Sequence, residues 1–206
     1  MRIAVLGATG RTGRTVVEQA LARGHQVVAL VRRPEAFTVS DPGAAHRVGI
    51  RRADVAAPAA FPDLSDVDVV ISALGVSKGE GPGVLEAGAE RLVAAKVRTI
   101  WLGALGSGVS TGAGGAIYQA VMRMFVGKEL AEKAAADGIA LAGGATVLHA
   151  PDVTKGPVSP TRRILRLADY PRPFLPPRIT RDTLAALLID EAEAPAHRAE
   201  ILIPLG

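Results

Sequence analysis

Apolar and polar residues along this chain follow two different periods, and the changes of period mark out its elements. Ile3-Ala4-Val5-Leu6 is a short apolar run closed by Gly7, the mark of a strand buried on both faces. From Thr12 to Arg23 the apolar positions Val16, Val17, Ala20 and Leu21 recur at helical spacing, and Gly24 ends the run. Gln26 to Val31 predicts a second strand and Arg47 to Arg51 a weaker third. Val67 to Ile71 predicts a fourth, entered through the turn-forming Pro62-Asp63. Leu85 to Ala95 predicts a helix and Thr99 to Leu102 a fifth strand. Ala116 to Ala136 predicts a long helix with Gly127 as a break, and Ala140 to His149 a sixth strand around Gly143-Gly144. Strands alternating with helices in this order predict an α/β fold of the Rossmann type, a doubly wound parallel sheet covered on both faces.

After Pro151 the texture changes. The segment Pro171-Arg172-Pro173-Phe174-Leu175-Pro176-Pro177 is proline-rich, and residues 150–180 predict a small loop-rich lobe on the substrate side, with Ile164, Leu165 and Leu167 offering a short helix. Thr180 then reads as an N-cap, with Asp182 in the first turn and Leu184, Leu187 and Leu188 as an apolar stripe. Ile201-Leu202-Ile203 predicts a last strand. The 206 residues fit a single domain, 1–206.

Composition then removes several classes of function. With 49% hydrophobic and 21% charged residues the chain is not disordered. The absence of cysteine excludes a disulfide scaffold, a thiolate zinc site and a cysteine nucleophile. Four scattered histidines predict no metal site. Aromatic residues at 3% and no basic run longer than two argue against a nucleic-acid partner. The stretch from Thr99 to Met122 carries no charge but holds six glycines, which reads as strand and loop and not as a membrane helix. The apolar run at the start is too short for a signal peptide. These readings predict a cytoplasmic protein without a membrane partner. With no heptad and no broad apolar stripe, they also predict a monomer.

The strongest local signal is Gly7-Ala8-Thr9-Gly10-Arg11-Thr12-Gly13, which leaves a predicted strand and opens a predicted helix. Such a loop turns sharply at Gly7, lets backbone approach a pyrophosphate at Gly10 and lets the helix pack closely at Gly13. The amides of the helix start, with Thr9, Arg11 and Thr12 around them, then face the anion. An NAD-specific site carries an acid at the end of the second strand, about 20 residues past the glycines. Here that place reads Val31-Arg32-Arg33. Guanidinium groups there, with Arg11, suit a 2′-phosphate, so the expected cofactor is NADP(H) before NAD(H). By the switch-point rule Ala73, Leu74 and Gly75, which end the fourth strand, line the cofactor channel.

The spacing G-x-x-G-x-x-G resembles the extended and atypical short-chain dehydrogenase/reductase superfamily, and within it the NmrA-like and biliverdin reductase B/flavin reductase group. MRIAVLGATGRTG, the Leu30-Val31-Arg32-Arg33 strand end, Ala53-Asp54-Val55 and the stretch from Asp68 to Gly75 carry the likeness, over about residues 1–105. The resemblance implies that Asp54 and Val55 contact the adenine. It implies that His149, before Ala150-Pro151, lies near the nicotinamide as a donor, and that Lys128 with Glu132 forms a Lys-x-x-x-Glu helix, with Lys128 a catalytic candidate. The Lys128–Glu132 spacing is equally that of a surface ion pair. Lys78, in the loop after strand four, is a candidate for meeting an anionic substrate.

The classical catalytic set of that superfamily is missing. Its serine position falls at Gly103 or Ala104, and Tyr118 is followed four residues later by Met122 where a lysine belongs. The implied activity is therefore reduction, by NADPH, of a small conjugated acceptor such as a flavin or quinone, which needs no strong active-site acid. A non-catalytic NADP(H) sensor of the NmrA-like type and an epimerase- or dehydratase-like enzyme remain the alternatives.

Overall fold

The computed structural model describes residues 1–76, 81–174 and 177–206, and of residues 60 and 125–128 the backbone alone. Ten strands and four helices are found among them. The strands are β1 (Arg2–Leu6), β2 (Gln26–Val31), β3 (Val48–Arg52), β4 (Val69–Ser72), β5 (Thr99–Ala104), β6 (Thr146–Ala150), β7 (Asp152–Thr154), β8 (Arg163–Arg166), β9 (Arg178–Thr180) and β10 (Ile201–Leu205). The helices are α1 (Arg11–Ala22), α2 (Val84–Ala94), α3 (Ala116–Ala142) and α4 (Arg181–Glu193).

The main sheet runs in the order β3-β2-β1-β4-β5-β6-β10-β8, parallel except for the β10–β8 pair, and β7 pairs with β9 in a separate parallel ribbon. The first six places give the doubly wound Rossmann order, with the reversal of direction at β1. The period of two along each strand divides the core. Ile3, Val5, Val27, Ala29 and Ile71 face α1 and α4, where Val16, Val17, Leu184, Leu187 and Leu188 cover them. Ala4, Leu6, Val28, Leu30 and Val70 face the other way, onto Leu85, Ala89 and Leu92 of α2 and Ala136 and Ala140 of α3. Strands so placed are apolar throughout because neither face meets water.

Three expectations change. Ala140–Ala142 continue α3, which ends at Gly143, and β6 starts only at Thr146; the helix also runs through Gly127 without a break. An alanine-rich segment fits both periods, and packing on α2 decides for helix. Ile164 and Leu165 form strand β8 and not a helix, because β8 pairs antiparallel with β10, Leu165 opposite Ile203 and Ile164 opposite Pro204. The lobe holds more order than its prolines suggest, since β7 and β9 pair through Val153 and Ile179. Thr180 caps α4 as expected, its hydroxyl accepting from the Thr183 amide at 3.1 Å. Among the described residues no helix is long and apolar enough to cross a membrane, and no group of three or more His, Asp or Glu is placed to hold a metal ion.

Candidate functional site

Over the carboxyl ends of β1, β2 and β4 lies a cleft of about 710 Å³. The glycine loop forms its floor, and two of the three glycines are dictated by packing. Gly7 has φ +80°, and a Cβ there would stand 2.6 Å from the Ala73 carbonyl oxygen. A Cβ on Gly13 would stand 2.1 Å from the Gly7 carbonyl oxygen. The first packs the loop on the backbone that follows β4, and the second packs α1 on the loop. Gly10 differs: its Cβ would meet only Gly7 O, at 3.2 Å. Gly10 is also the N-cap of α1, and no side chain caps that helix. The first-turn amides, which no intrahelical carbonyl can reach, are therefore left to a ligand, at the positive end of the helix dipole. A bare amide cradle with small residues around it fits a pyrophosphate.

Gly7, Thr9, Gly10, Arg11, Thr12, Arg32, Asp54, Val55, Ala73, Leu74 and Gly75 all line this one cleft. Gly13 does not; it is buried under the loop. Arg33, exposed at the start of the following turn, does not line it either, so of the two arginines after β2 Arg32 alone reaches the cleft. Asp54 both faces the cleft and makes an Asx turn, its Oδ1 accepting from the Ala56 amide at 3.0 Å. The wall also holds residues the sequence did not single out, among them Val153 of β7 and Arg181, the first residue of α4. The β7–β9 ribbon brings them there, since Thr180, paired with Thr154, directly precedes Arg181. Position N1 after the Thr180 cap was the available signal.

His149 does not line the cleft. Its ring is fully buried, Nδ1 lying 2.7 Å from Ser110 Oγ and Nε2 3.0 Å from Asp137 Oδ2, the latter off the direction of a well-aligned hydrogen bond. Asp137, also buried, accepts from Trp101 Nε1 at 2.9 Å and from Ser107 Oγ at 2.8 Å. Ser110 Oγ in turn accepts from the Gly106 amide. This polar network clamps the turn after β5 to α3 and β6, and it explains Gly103. A Cβ at Gly103 would stand 2.7 Å from His149 Cδ2 and 2.8 Å from Asp137 Oδ1. Of the two candidate serine positions, Gly103 and Ala104, the first thus has its side-chain space filled by the histidine–aspartate pair behind it.

The side chain of Lys128 and the whole of Lys78 lie outside the described residues. Glu132 Oε1 accepts from the amides of Gly83 at 3.1 Å and Leu85 at 3.2 Å and so caps α2. Tyr118 donates to the Leu105 carbonyl at 3.4 Å. Burial pushes its phenol up, and Asp152 and Tyr170 push it further the same way. A lysine neighbour would have pushed it down. Burial likewise raises Tyr170, whose hydroxyl has no hydrogen-bond partner among the described residues.

A sequence model described as NAD(P)H-binding matches residues 7–195 of this chain. YwnB of Bacillus subtilis (strain 168), a protein of uncharacterized function, is 33% identical over 88 residues, which are 43% of this chain and 38% of that protein. The chain thus spans well under half of that relative's length. Among solved structures, a Streptococcus pneumoniae TIGR4 protein provisionally named an NADH-flavin reductase superposes with a TM-score of 0.75 at 20% identity, over 100% of this chain and 99% of that one. The Lactococcus lactis oxidoreductase ylbE superposes at 0.76 and 19% identity, over 99% and 90%. The anaerobilin reductase ChuY of Escherichia coli O157:H7 superposes at 0.73 and 21% identity, over 100% and 97%. At such identities the likeness is one of fold.

Proposed function

This chain belongs to the NAD(P)H-binding family, and we propose that it is an NADPH-dependent reductase of a small, flat, conjugated acceptor such as a flavin or quinone. The observation that carries this reading is the occupation of the classical acid's ground. Neither candidate serine position, Gly103 or Ala104, carries a hydroxyl, and Gly103 has no room for a side chain. Tyr118 has Met122 in place of a lysine and a phenol raised by burial. An unactivated ketone needs a positioned donor for its developing oxyanion. A conjugated acceptor spreads that charge over its rings and takes its proton from water.

The chain's own residues bind and orient. The α1 amides and Thr12 hold the pyrophosphate, Asp54 and Val55 flank the adenine, and Arg32 with Arg11 meets the 2′-phosphate by charge-assisted hydrogen bonds. Val153 and the Ala73–Gly75 strand end exclude water from the reacting side. The bound cofactor supplies the hydride. Orientation of this kind lowers barriers by several kcal/mol, which suffices for an acceptor that is already easily reduced. The names carried by the Streptococcus and Escherichia structures agree with this acceptor class.

The test follows NADPH and NADH oxidation at 340 nm with riboflavin, a soluble quinone and simple ketones. Turnover is expected with the first two, little with ketones, and tighter binding of NADPH than of NADH. Ketone reduction as fast as flavin reduction would overturn the acceptor class; equal affinity for both dinucleotides would overturn the cofactor preference.

A further inference from the structure

At the opposite end of the sheet from the glycine loop lies a second concavity of about 600 Å³. It opens between the carboxyl ends of α2 and α3, the starts of β5 and β6, and the 195–198 loop. Its floor is apolar: Leu92, Trp101 and Ala140 face it, each 2% exposed overall. Its rim is cationic. Lys96, Arg98 and Arg198 line it and, among the described residues, no acidic side chain does.

The nearest carboxylate does not offset that charge. Glu191 lies behind the wall, buried, accepting from the His197 amide at 3.2 Å and lying 2.9 Å from His197 Nδ1. Arg98 donates to the Ala192 carbonyl at 2.9 Å and to the Glu191 carbonyl at 2.5 Å, and it stands 3.9 Å from the Glu191 carboxylate. Burial pushes the Arg98 guanidinium down; Glu191 opposes the shift and Arg198 adds to it. Neither Lys96 nor Arg198 has a carboxylate partner among the described residues. Two guanidinium groups and an ammonium thus crowd one mouth with a single, already shared counter-charge.

Lys96 carries a second sign. It ends α2 in the left-handed region, with φ 54°, where glycine or asparagine is the ordinary residue. A lysine there is strained. Its ammonium complements the negative carboxyl end of α2, and the same position places it on the pocket rim. Strain held at a residue that faces a cavity points to a role for its side chain in that cavity.

We infer that this concavity is a second binding site, distinct from the dinucleotide cleft, for a small aromatic anion: a carboxylate, sulfonate or phosphate on a flat apolar body. The rings lie on the Leu92–Trp101–Ala140 floor, and the anion meets Arg98, Arg198 and Lys96. Arginine forks recognise such groups through paired hydrogen bonds, and the cavity is of the size that takes a small organic ligand.

Trp101 is the only tryptophan in the chain, so its indole N–H gives one resonance that reports on this pocket. The experiment titrates 2-naphthoate into nitrogen-15-labelled protein saturated with NADP⁺. The expected result is a saturable shift of the Trp101 indole signal. Binding should be weaker by at least about tenfold in Arg198→Ala and in Lys96→Gly, the loss expected for one charge-assisted contact. Lys96→Gly should at the same time melt no lower than the parent, because it relieves the backbone strain. Ala196→Phe, which fills the mouth without changing charge, should also abolish the shift. Neither 2-naphthalenemethanol, which has the rings without the charge, nor inorganic phosphate, which has the charge without the rings, should match the probe. An unmoved indole, a shift abolished by NADP⁺, parental affinity in the variants, or equal binding of either control would overturn the assignment.

Discussion

Replacing Gly103, one of the two candidate serine positions, by serine should damage the protein and not improve it. The new Cβ would lie 2.7 Å from His149 Cδ2, 2.8 Å from Asp137 Oδ1 and 3.0 Å from Asp137 Oδ2. Neither neighbour can move freely. The imidazole is held between Ser110 and Asp137, and the carboxylate between Trp101 and Ser107. Two effects compete. A side chain in place of glycine stabilises a strand by about 0.5–1 kcal/mol through the unfolded chain. Overpacking a close-packed site costs about 1–3 kcal/mol. Because the contacts are with a buried polar network, the second effect wins, and we expect a net loss of about 1–2 kcal/mol. For a chain of this length that lowers the melting temperature by about 2–8 °C. Thermal melts of the parent and of Gly103→Ala, Gly103→Ser and His149→Ala, with the Gly103→Ala/His149→Ala double variant, provide the check. If the clash is with the imidazole, the double variant should be less destabilised than the sum of its parts by about 1 kcal/mol or more. Parental stability in Gly103→Ala, or strict additivity in the double variant, would refute the reasoning.

Gly13→Ala, whose Cβ would be 2.1 Å from Gly7 O, should lose about 3 kcal/mol in urea unfolding or fail to fold. Gly10→Ala, whose Cβ would meet a single backbone atom, Gly7 O at 3.2 Å, should melt near the parent yet bind NADPH at least about tenfold more weakly by calorimetry. Tyr118→Phe should keep turnover within about threefold of the parent; a loss near a thousandfold, the upper part of the acid–base range, would make that phenol a catalytic acid. The exposed carboxyl of Asp66 is held at about 2, below its ordinary 3.8, first by its hydrogen bond from Arg51 and also by Arg2. Its contribution to stability is present above the unfolded value and is lost as the pH falls toward the folded one. Urea midpoints followed from about pH 4 to about pH 2 should therefore fall less steeply in Asp66→Asn than in the parent.

What could be read in advance divides along a physical line. The run Ile3–Leu6, the glycine loop and the spacing of α1 are local, and each states its own conformation. The carbonyl that meets Gly7 comes from residue 73, yet the turn itself is legible at residue 7 because only glycine holds that φ cheaply. Contributions set by distant pairing were not legible. Arg181 reaches the cleft because β9 pairs with β7, and Ile164-Leu165 is a strand because β10 lies beside it. The strand-end position of His149 was readable, but its burial depends on Asp137 and on the Ser107–Ser110 turn, and nothing in its neighbours along the chain announces either. The terminus of α3 was misjudged because alanine and glycine carry too little surface to show a period.

The place of β10 in the sheet has a consequence for the order in which the protein can be made. β10 lies between β6 and β8: Ile201 and Leu202 pair with Val147 and Leu148 on one side, and residues 202–205 pair with 163–166 on the other. Until residue 205 has left the ribosome, β6 is an open edge carrying apolar residues, and β8 has no partner in the sheet. At about 5–20 residues per second the interval between the synthesis of β8 and that of β10 lasts seconds, long compared with the microseconds in which helices and hairpins form. The nascent chain therefore holds a nearly complete dinucleotide half beside an unpaired strand edge, the kind of surface on which other chains add. Slow synthesis or a stop before residue 201 should send this protein toward aggregates, while the same sequence refolded whole from urea should close its sheet in a single step.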